Sequence, residues 1–362
     1  MKKIKIYLDH ASTTPLRKEA FLAMSPFFSK KFGNASSLHS FGKEARNAIE
    51  NSRKSIAKII NASPEEIIFT SGGTESNNFA IKGFAYANKH KGNHIITSKI
   101  EHDAVLKTCN ALEKEGFKVN YLNVDENGML NLKELKTAIN DKTILVSIMH
   151  ANNEIGTIQQ LEEIGKLCNE KKIAFHTDAV QTFCKEKIDV KKMNLSMLSA
   201  SSHKIYGPKG VGFLYVKKGI KLSPLLNGGG HEFGLRSGTE NVPGIVGFAK
   251  AAQLAEKERT KENKRLKKLR DKLIKELLKI SDSRLNGSIK NRLSNNVNIS
   301  FRAVEGESLI LSLDSEGIAA STGSACSSRS LEASHVLLAL GLSPIDAHGS
   351  LRLTLGKSTT EK

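Results

Sequence analysis

Tryptophan is absent from this 362-residue sequence, and aromatic residues make up only 6% of it. With no aromatic-plus-glycine strand motif either, base stacking on an RNA-binding sheet has little support. Cysteine is scarce: Cys109, Cys168, Cys184 and Cys326 are too few and too widely spaced for a disulfide framework or a C-x-x-C metal or redox pair, which fits a reducing compartment. No apolar run approaches a membrane span. The basic start, Met1 to Tyr7, leads into the polar stretch Asp9 to Thr14 instead of the apolar core of a secretory signal. The expectation is a cytoplasmic protein with no membrane partner. Acidic residues are also in deficit, 37 against 55 Lys and Arg, for a net charge of +18. Phosphate binding could use such charge, but the lysines are scattered. Their densest region, Lys257 to Lys279, carries Leu266, Leu269, Leu273, Leu277 and Ile280 at helical spacing, an amphipathic helix with a solvated face. Direct nucleic-acid binding is therefore not expected, although the charge suits an acidic protein or tRNA.

What is present is an alternation of short apolar runs with helical patterns. Glu66 to Thr70, His94 to Ser98, Thr143 to Met149, Ile173 to Thr177, Leu195 to Ala200 and Val211 to Val216 read as strands, most followed by amphipathic stretches such as Leu161 to Lys171. This order predicts an α/β domain with a mostly parallel sheet, whose ligands collect at the carboxyl ends of the strands. The chain is too long for one core. Beyond the long helix, Asn295 to Phe301 and Gly317 to Ala320 read as strands and Leu331 to Leu340 as a helix, forming a smaller α+β unit. The division expected is residues 15–250 for the large domain, with 1–14 and 251–362 forming the small one.

The unusual residues lie in the strand-end loops. Ser71-Gly-Gly-Thr-Glu75 follows one strand and opens a helix, so free backbone N–H groups and Thr74 would face an anion. It is not a P-loop, since no Gly-Lys-Ser/Thr follows. Asp178 sits just past an apolar strand, where a carboxylate either caps the next helix or takes a cationic partner such as a protonated ring nitrogen. Lys204 lies between a strand and a Gly-Pro turn, where a partly buried amine can become a nucleophile for Schiff-base chemistry. Cys109 and Cys168 fall in helix-like segments and read as small buried residues. Cys326 differs, because its neighbours from Ser321 to Ser330 form a small, polar stretch that would expose a thiol. An anion turn, a strand-end Asp and a loop Lys in that order are the parts needed to hold pyridoxal phosphate.

In these motifs the sequence resembles the cysteine desulfurases of the NifS and IscS type, class V relatives of the aminotransferases. The resemblance runs from Tyr7-Leu-Asp-His-Ala-Ser-Thr-Thr-Pro15 through Phe69-Thr-Ser-Gly-Gly-Thr-Glu-Ser-Asn77, Glu101-His102, Asn152-Asn-Glu-Ile-Gly156, Arg236-Ser-Gly-Thr239 and Gly323-Ser-Ala-Cys-Ser-Ser328 to Leu355. It implies the aspartate aminotransferase-like type I fold and pyridoxal 5'-phosphate as cofactor. Lys204 would bind that cofactor covalently, Asp178 pair with its pyridine nitrogen, His102 stack on its ring and Gln181 bond its phenolic oxygen. Gly73, Thr74, Ser201 and His203 would hold the phosphate, and Asn153 would help place cofactor and substrate. Thr239 would reach the phosphate of an opposite subunit, implying a homodimer. Arg352 would clamp the substrate carboxylate. Cys326 would take the sulfur of L-cysteine as a persulfide, with His102 a candidate proton acceptor, leaving alanine.

The segment around Cys326 looks like the long loop of the NifS and IscS group, not the Arg-x-Gly-His-x-Cys segment of the SufS group. Sulfur supply to an iron-sulfur scaffold is the implied use, with tRNA thiolation the other destination. No resident metal is expected, although Cys326 could transiently ligate a nascent cluster. A class V aminotransferase or selenocysteine lyase would share Lys204 and Asp178 without needing Cys326 for the same step. Two departures stand out. The resemblance implies a further helix beyond Thr359-Thr-Glu-Lys362, and Lys357 stands where arginine is usual.

Overall fold

The computed structural model describes residues 6–322 and 333–361. Strand β1 (Ile6–Tyr7) is followed by β2 (Ile67–Thr70), β3 (His94–Ser98), β4 (Lys118–Leu122), β5 (Thr143–Ser147), β6 (Ala174–Asp178), β7 (Met197–Ser201) and β8 (Gly212–Val216). β2 to β8 form one seven-stranded sheet in the order β2-β8-β7-β6-β5-β3-β4. The pairs from β7 through β6, β5 and β3 to β4 are parallel, and β8 runs antiparallel to both its neighbours. The mostly parallel α/β sheet expected from the sequence is therefore present. β3, β5, β6, β7 and β8 are buried along their whole length, as strands covered on both faces must be.

Alternation along the strands divides the apolar side chains between two cores. Ile67 and Phe69 join the larger one, with Ile49 and Ile56 of the helix Ser40–Ile59, and Ile68 joins Phe79, Phe84 and Leu112 on the other face. β4 was not among the expected strands. Its residues alternate in exposure at the sheet edge, and Lys118 and Asn120 interrupt any apolar run.

The long helix spans Val242–Leu277, beginning upstream of the amphipathic stretch. Its first turns are buried and rich in small residues, among them Gly244, Gly247, Ala251 and Ala252, so they carry no polar face to betray a helix. Asn241 caps it by accepting the Gly244 N–H at 3.0 Å, and Pro243 occupies the first turn, where a missing N–H costs nothing. Phe248 packs this end onto the sheet through Phe183 and Phe213, with ring centroids 5.8 and 5.9 Å away. Residue 250 lies inside this helix, and its far end, at Ile274, packs on a second sheet.

That sheet is antiparallel, with β10 (Asn296–Phe301) between β9 (Ser283–Leu285) and β12 (Ser350–Thr354). β1 pairs with β11 (Ile318–Ala319) in parallel, so the N-terminal segment is tied to the C-terminal unit before it crosses to the large sheet. The helix expected from Leu331 is His335–Ala339 within the described residues, where Ser334 Oγ accepts the Leu337 N–H at 3.3 Å. Among the described residues no helix is long and apolar enough to cross a membrane.

Candidate active site

The loops following β2, β3, β5, β6 and β7 converge, as the carboxyl edge of a parallel sheet should make them, on a cavity of about 380 Å³. Ten of the expected site residues line it: Gly73, Thr74, His102, Asn153, Asp178, Gln181, Ser201, His203, Lys204 and Arg352. After β2 the chain passes Gly72 at φ +155° into the helix Gly73–Asn78. A Cβ on Gly73 would meet Val180 Cγ2 at 2.7 Å, so the backbone there must stay bare. The N–H groups of that first turn have no acceptor within the helix.

Asp178 closes β6 and is 7% exposed. Its Oδ1 accepts the Val180 N–H at 2.9 Å and its Oδ2 the Asn77 side-chain amide at 2.6 Å. The carboxylate thus caps the following turn while lining the cavity. Lys204 ends the short 3-10 turn Ser202–Lys204. Its Nζ donates to the carbonyl oxygens of Ala11 and Ser12 at 2.6 and 2.8 Å. The Gln181 amide donates to the same Ala11 oxygen at 3.0 Å. His203 Nδ1 lies 3.1 Å from Thr13 Oγ1; burial and the nearby lysines lower its pKa to about 4.

His102 caps the helix Asp103–Lys114, its Nδ1 accepting the Ala104 N–H at 3.0 Å. With that lone pair engaged, the neutral ring carries its proton on Nε2. Arg352, on β12, is 2% exposed. It donates to Asp9 Oδ1 at 2.9 Å, Ser12 Oγ at 2.7 Å and the Asn153 carbonyl at 3.0 Å. Thr239 is exposed and stands outside the cavity lining. Cys326 lies outside the described residues. The other three cysteines are buried; burial pushes the thiols of Cys109 and Cys168 up to about 12 and that of Cys184 up as well.

The model of the aminotransferase class-V family matches residues 6–362. The chain belongs to that family. A cysteine desulfurase IscS of Dictyoglomus turgidum is 58% identical over 99% of this chain and 92% of its own length. One of Methanosarcina thermophila is 56% identical over 99% of this chain and 88% of its own. Among solved structures, a NifS-like protein superposes with a TM-score of 0.93 at 39% identity, covering 99% of this chain and 95% of that one. SspA in complex with cysteine superposes with a TM-score of 0.85 at 40% identity, covering 97% and 99%.

The donor set fits the pyridoxal phosphate of this class-V family. The bare turn at Gly73 offers N–H groups to a phosphate. Asp178, buried on two neutral donors, offers a carboxylate to a protonated ring nitrogen, and the Lys204 amine enters the same cavity. Ala11, Ser12 and Asn77 also belong to the site, although no role was read for them from the sequence. The first two act partly through backbone carbonyls, which have no residue-type signature. Asn77 sits one helical turn after Gly73, the only hint that it shares a face with it.

Glu101, directly behind His102, is fully buried. Burial, outweighing hydrogen bonds from Ser98 Oγ and the Met149 N–H, raises its pKa to about 8, and the Asp178 charge adds to the rise. An acid whose pKa is raised on folding contributes stability that is complete below its unfolded value and is lost as pH rises through the folded one. Relative to Glu101→Gln, the wild type should therefore lose stability between about pH 4.5 and 8. A loss on the order of 3–5 kcal/mol across that window is expected from denaturant midpoints; equal slopes in the two proteins would contradict it.

Proposed function

We infer that the protein is a pyridoxal-phosphate-dependent cysteine desulfurase, which takes sulfur from L-cysteine and leaves L-alanine. The observation that carries this reading is the convergence of Lys204, Asp178, Gln181 and His102 with a bare phosphate turn in one cavity, bordered by the buried Arg352 guanidinium. When bound, the cofactor supplies an electron sink that makes the substrate's α-proton removable.

The chain's own residues do the rest. Asp178 presents its carboxylate in the cavity lining, and Gln181 presents an amide N–H beside Lys204. Once released, Lys204 Nζ takes the α-proton. Arg352 orients the substrate through its carboxylate. His102, with its proton on Nε2 in the neutral ring, is placed as a donor first. The acceptor role expected of it would need the Nδ1 lone pair, which the Ala104 N–H engages. The thiolate of Cys326 attacks the substrate sulfur, so that an S–S bond forms as the C–S bond breaks. The bonding electrons stay on the substrate carbon, which takes a proton to become alanine. Burial of Cys109, Cys168 and Cys184 supports Cys326 as the acceptor.

Arg352→Lys should raise KM for L-cysteine roughly 10–100-fold with a smaller change in kcat, since a hydrogen bond to a charged group contributes about 1.5–3 kcal/mol. Steady-state kinetics checks this, and an unchanged KM would remove Arg352 from the carboxylate site.

We also propose a homodimer. Phe21, Leu22, Phe28, Phe32, Leu38 and Phe41 are all at least half exposed, Leu38 at 82%, and the Phe32 and Phe41 rings pack 5.7 Å apart. Exposed apolar side chains gathered in one stretch of chain suit burial against a second copy, to which the exposed Thr239 is also available. The net charge of +18 favours an acidic sulfur acceptor, for which an iron-sulfur scaffold protein is the reading adopted.

Incubation of the loaded protein with L-cysteine and a thiol reductant tests the activity. Stoichiometric alanine and sulfide with a visible cofactor band are expected. A keto acid product would instead select an aminotransferase, and absence of the band would reject the cofactor assignment.

A further inference from the structure

Behind the cofactor lysine lies a second, smaller cavity of about 60 Å³, lined by Lys204 on one side and by Lys185, His10 and Tyr206 among others. Lys185 belongs to none of the sequence motifs, and the mechanism above does not use it. The residue as a whole is partly exposed, but its amine is enclosed. Lys185 Nζ donates to Gln181 Oε1 at 3.5 Å. Gln181 Nε2 in turn donates to the Ala11 carbonyl, which also receives Lys204 Nζ. A continuous chain of hydrogen bonds thus runs from one lysine through the glutamine to the other. A flipped Gln181 amide would set its NH₂ against the ammonium and its oxygen against the carbonyl.

We propose that Lys185 is a positioning residue for the desulfurase reaction: it fixes the Gln181 amide so that an N–H remains for the cofactor, and as a second cation beside Lys204 it favours the neutral Lys204 amine. The inference rests on the functional reading above. Two amines in one enclosed space resist holding two protons. Burial and then the Lys204 charge lower the Lys185 pKa to about 7; the repulsion is reciprocal, so Lys185 opposes a charge on Lys204 wherever it holds its own proton, below that pH. The histidines facing it supply no compensating anion. His10 and His203 are both held near 4, in each case with Lys185 among the causes. Glu186 is the one carboxylate that favours the Lys185 charge. Around the cavity Arg17 and Lys357 share Glu258, Arg259 pairs with Glu256 and Arg265 with Glu262. A neutral Lys204 is the form that can bond the cofactor and later accept a proton.

The test is a pH titration of the visible absorbance of the full-length protein loaded with pyridoxal phosphate, following protonation of the nitrogen that joins Lys204 to the cofactor. Removing the neighbouring amine in Lys185→Met should move the midpoint upward by about one pH unit, whereas Lys185→Arg, which stays charged at every pH of the titration, should not raise it. An unmoved midpoint in Lys185→Met, or the same shift in Lys185→Arg, would overturn the proposal. Should Lys185→Met not fold, Lys185→Gln is titrated with the same two outcomes. A wild type with no cofactor band would instead overturn the functional reading, and this inference with it.

Discussion

Lys204→Ala should lower alanine formation from L-cysteine by at least about 10³-fold, because a positioned acid-base group is worth roughly 10²–10⁴ and this side chain also tethers the cofactor. The loss should not come from unfolding. Lys204 lies outside the apolar cores, and it donates to two backbone carbonyls, of Ala11 and Ser12. Lys204→Arg separates charge from nucleophilicity. A guanidinium can still donate to those carbonyls but stays protonated and cannot bond the cofactor covalently. Both variants should therefore be equally inactive, with thermal unfolding close to that of the wild type. Activity in Lys204→Arg within tenfold of the wild type would show that the amine is not the reacting group.

Asp178→Asn should reduce kcat roughly 10²–10³-fold with the cofactor retained. Removing one partner of a buried charge pair costs about 3–5 kcal/mol. The structure makes this position more exacting than a simple charge deletion. Oδ2 accepts from Asn77 Nδ2 at 2.6 Å and Oδ1 from the Val180 N–H at 2.9 Å, so an asparagine must set its NH₂ against one of two donors. Asn77→Ala removes one of those donors and leaves the charge. It should lower kcat less, by roughly tenfold, the low end expected for one hydrogen bond to a charged group. Equal losses in the two variants would mean that Asp178 acts through the geometry of the turn instead of its charge.

The strands that carry the site were legible because each holds a short apolar stretch that gives way to polar or glycine-rich chain, as in Ile67–Thr70 before Ser71-Gly72. β4 was not, because an edge strand can alternate polar with apolar and leave no run. The start of the helix at Val242 was hidden for the opposite reason, being buried on all sides. Within the site, Asp178, Lys204 and Arg352 announced themselves by residue type. The contacts that hold them did not. Lys204 rests on the carbonyls of Ala11 and Ser12, almost two hundred residues earlier in the chain, and Arg352 on Asp9. The crossing of the N-terminal segment from β11 to the cavity, set by the pairing of β1, has no local sequence signal. Lys185 was invisible as well, since a lysine earns notice only when its surroundings exclude water.

The division of labour between Lys204 and Cys326 is tested most directly by the mass of the cysteine-bearing peptides after the loaded protein is exposed to L-cysteine without reductant and then alkylated. One additional sulfur on the peptide carrying Cys326, and none on those carrying Cys109, Cys168 or Cys184, is the predicted result. Additional sulfur on one of the three buried cysteines, or none on any peptide while alanine still forms, would contradict it.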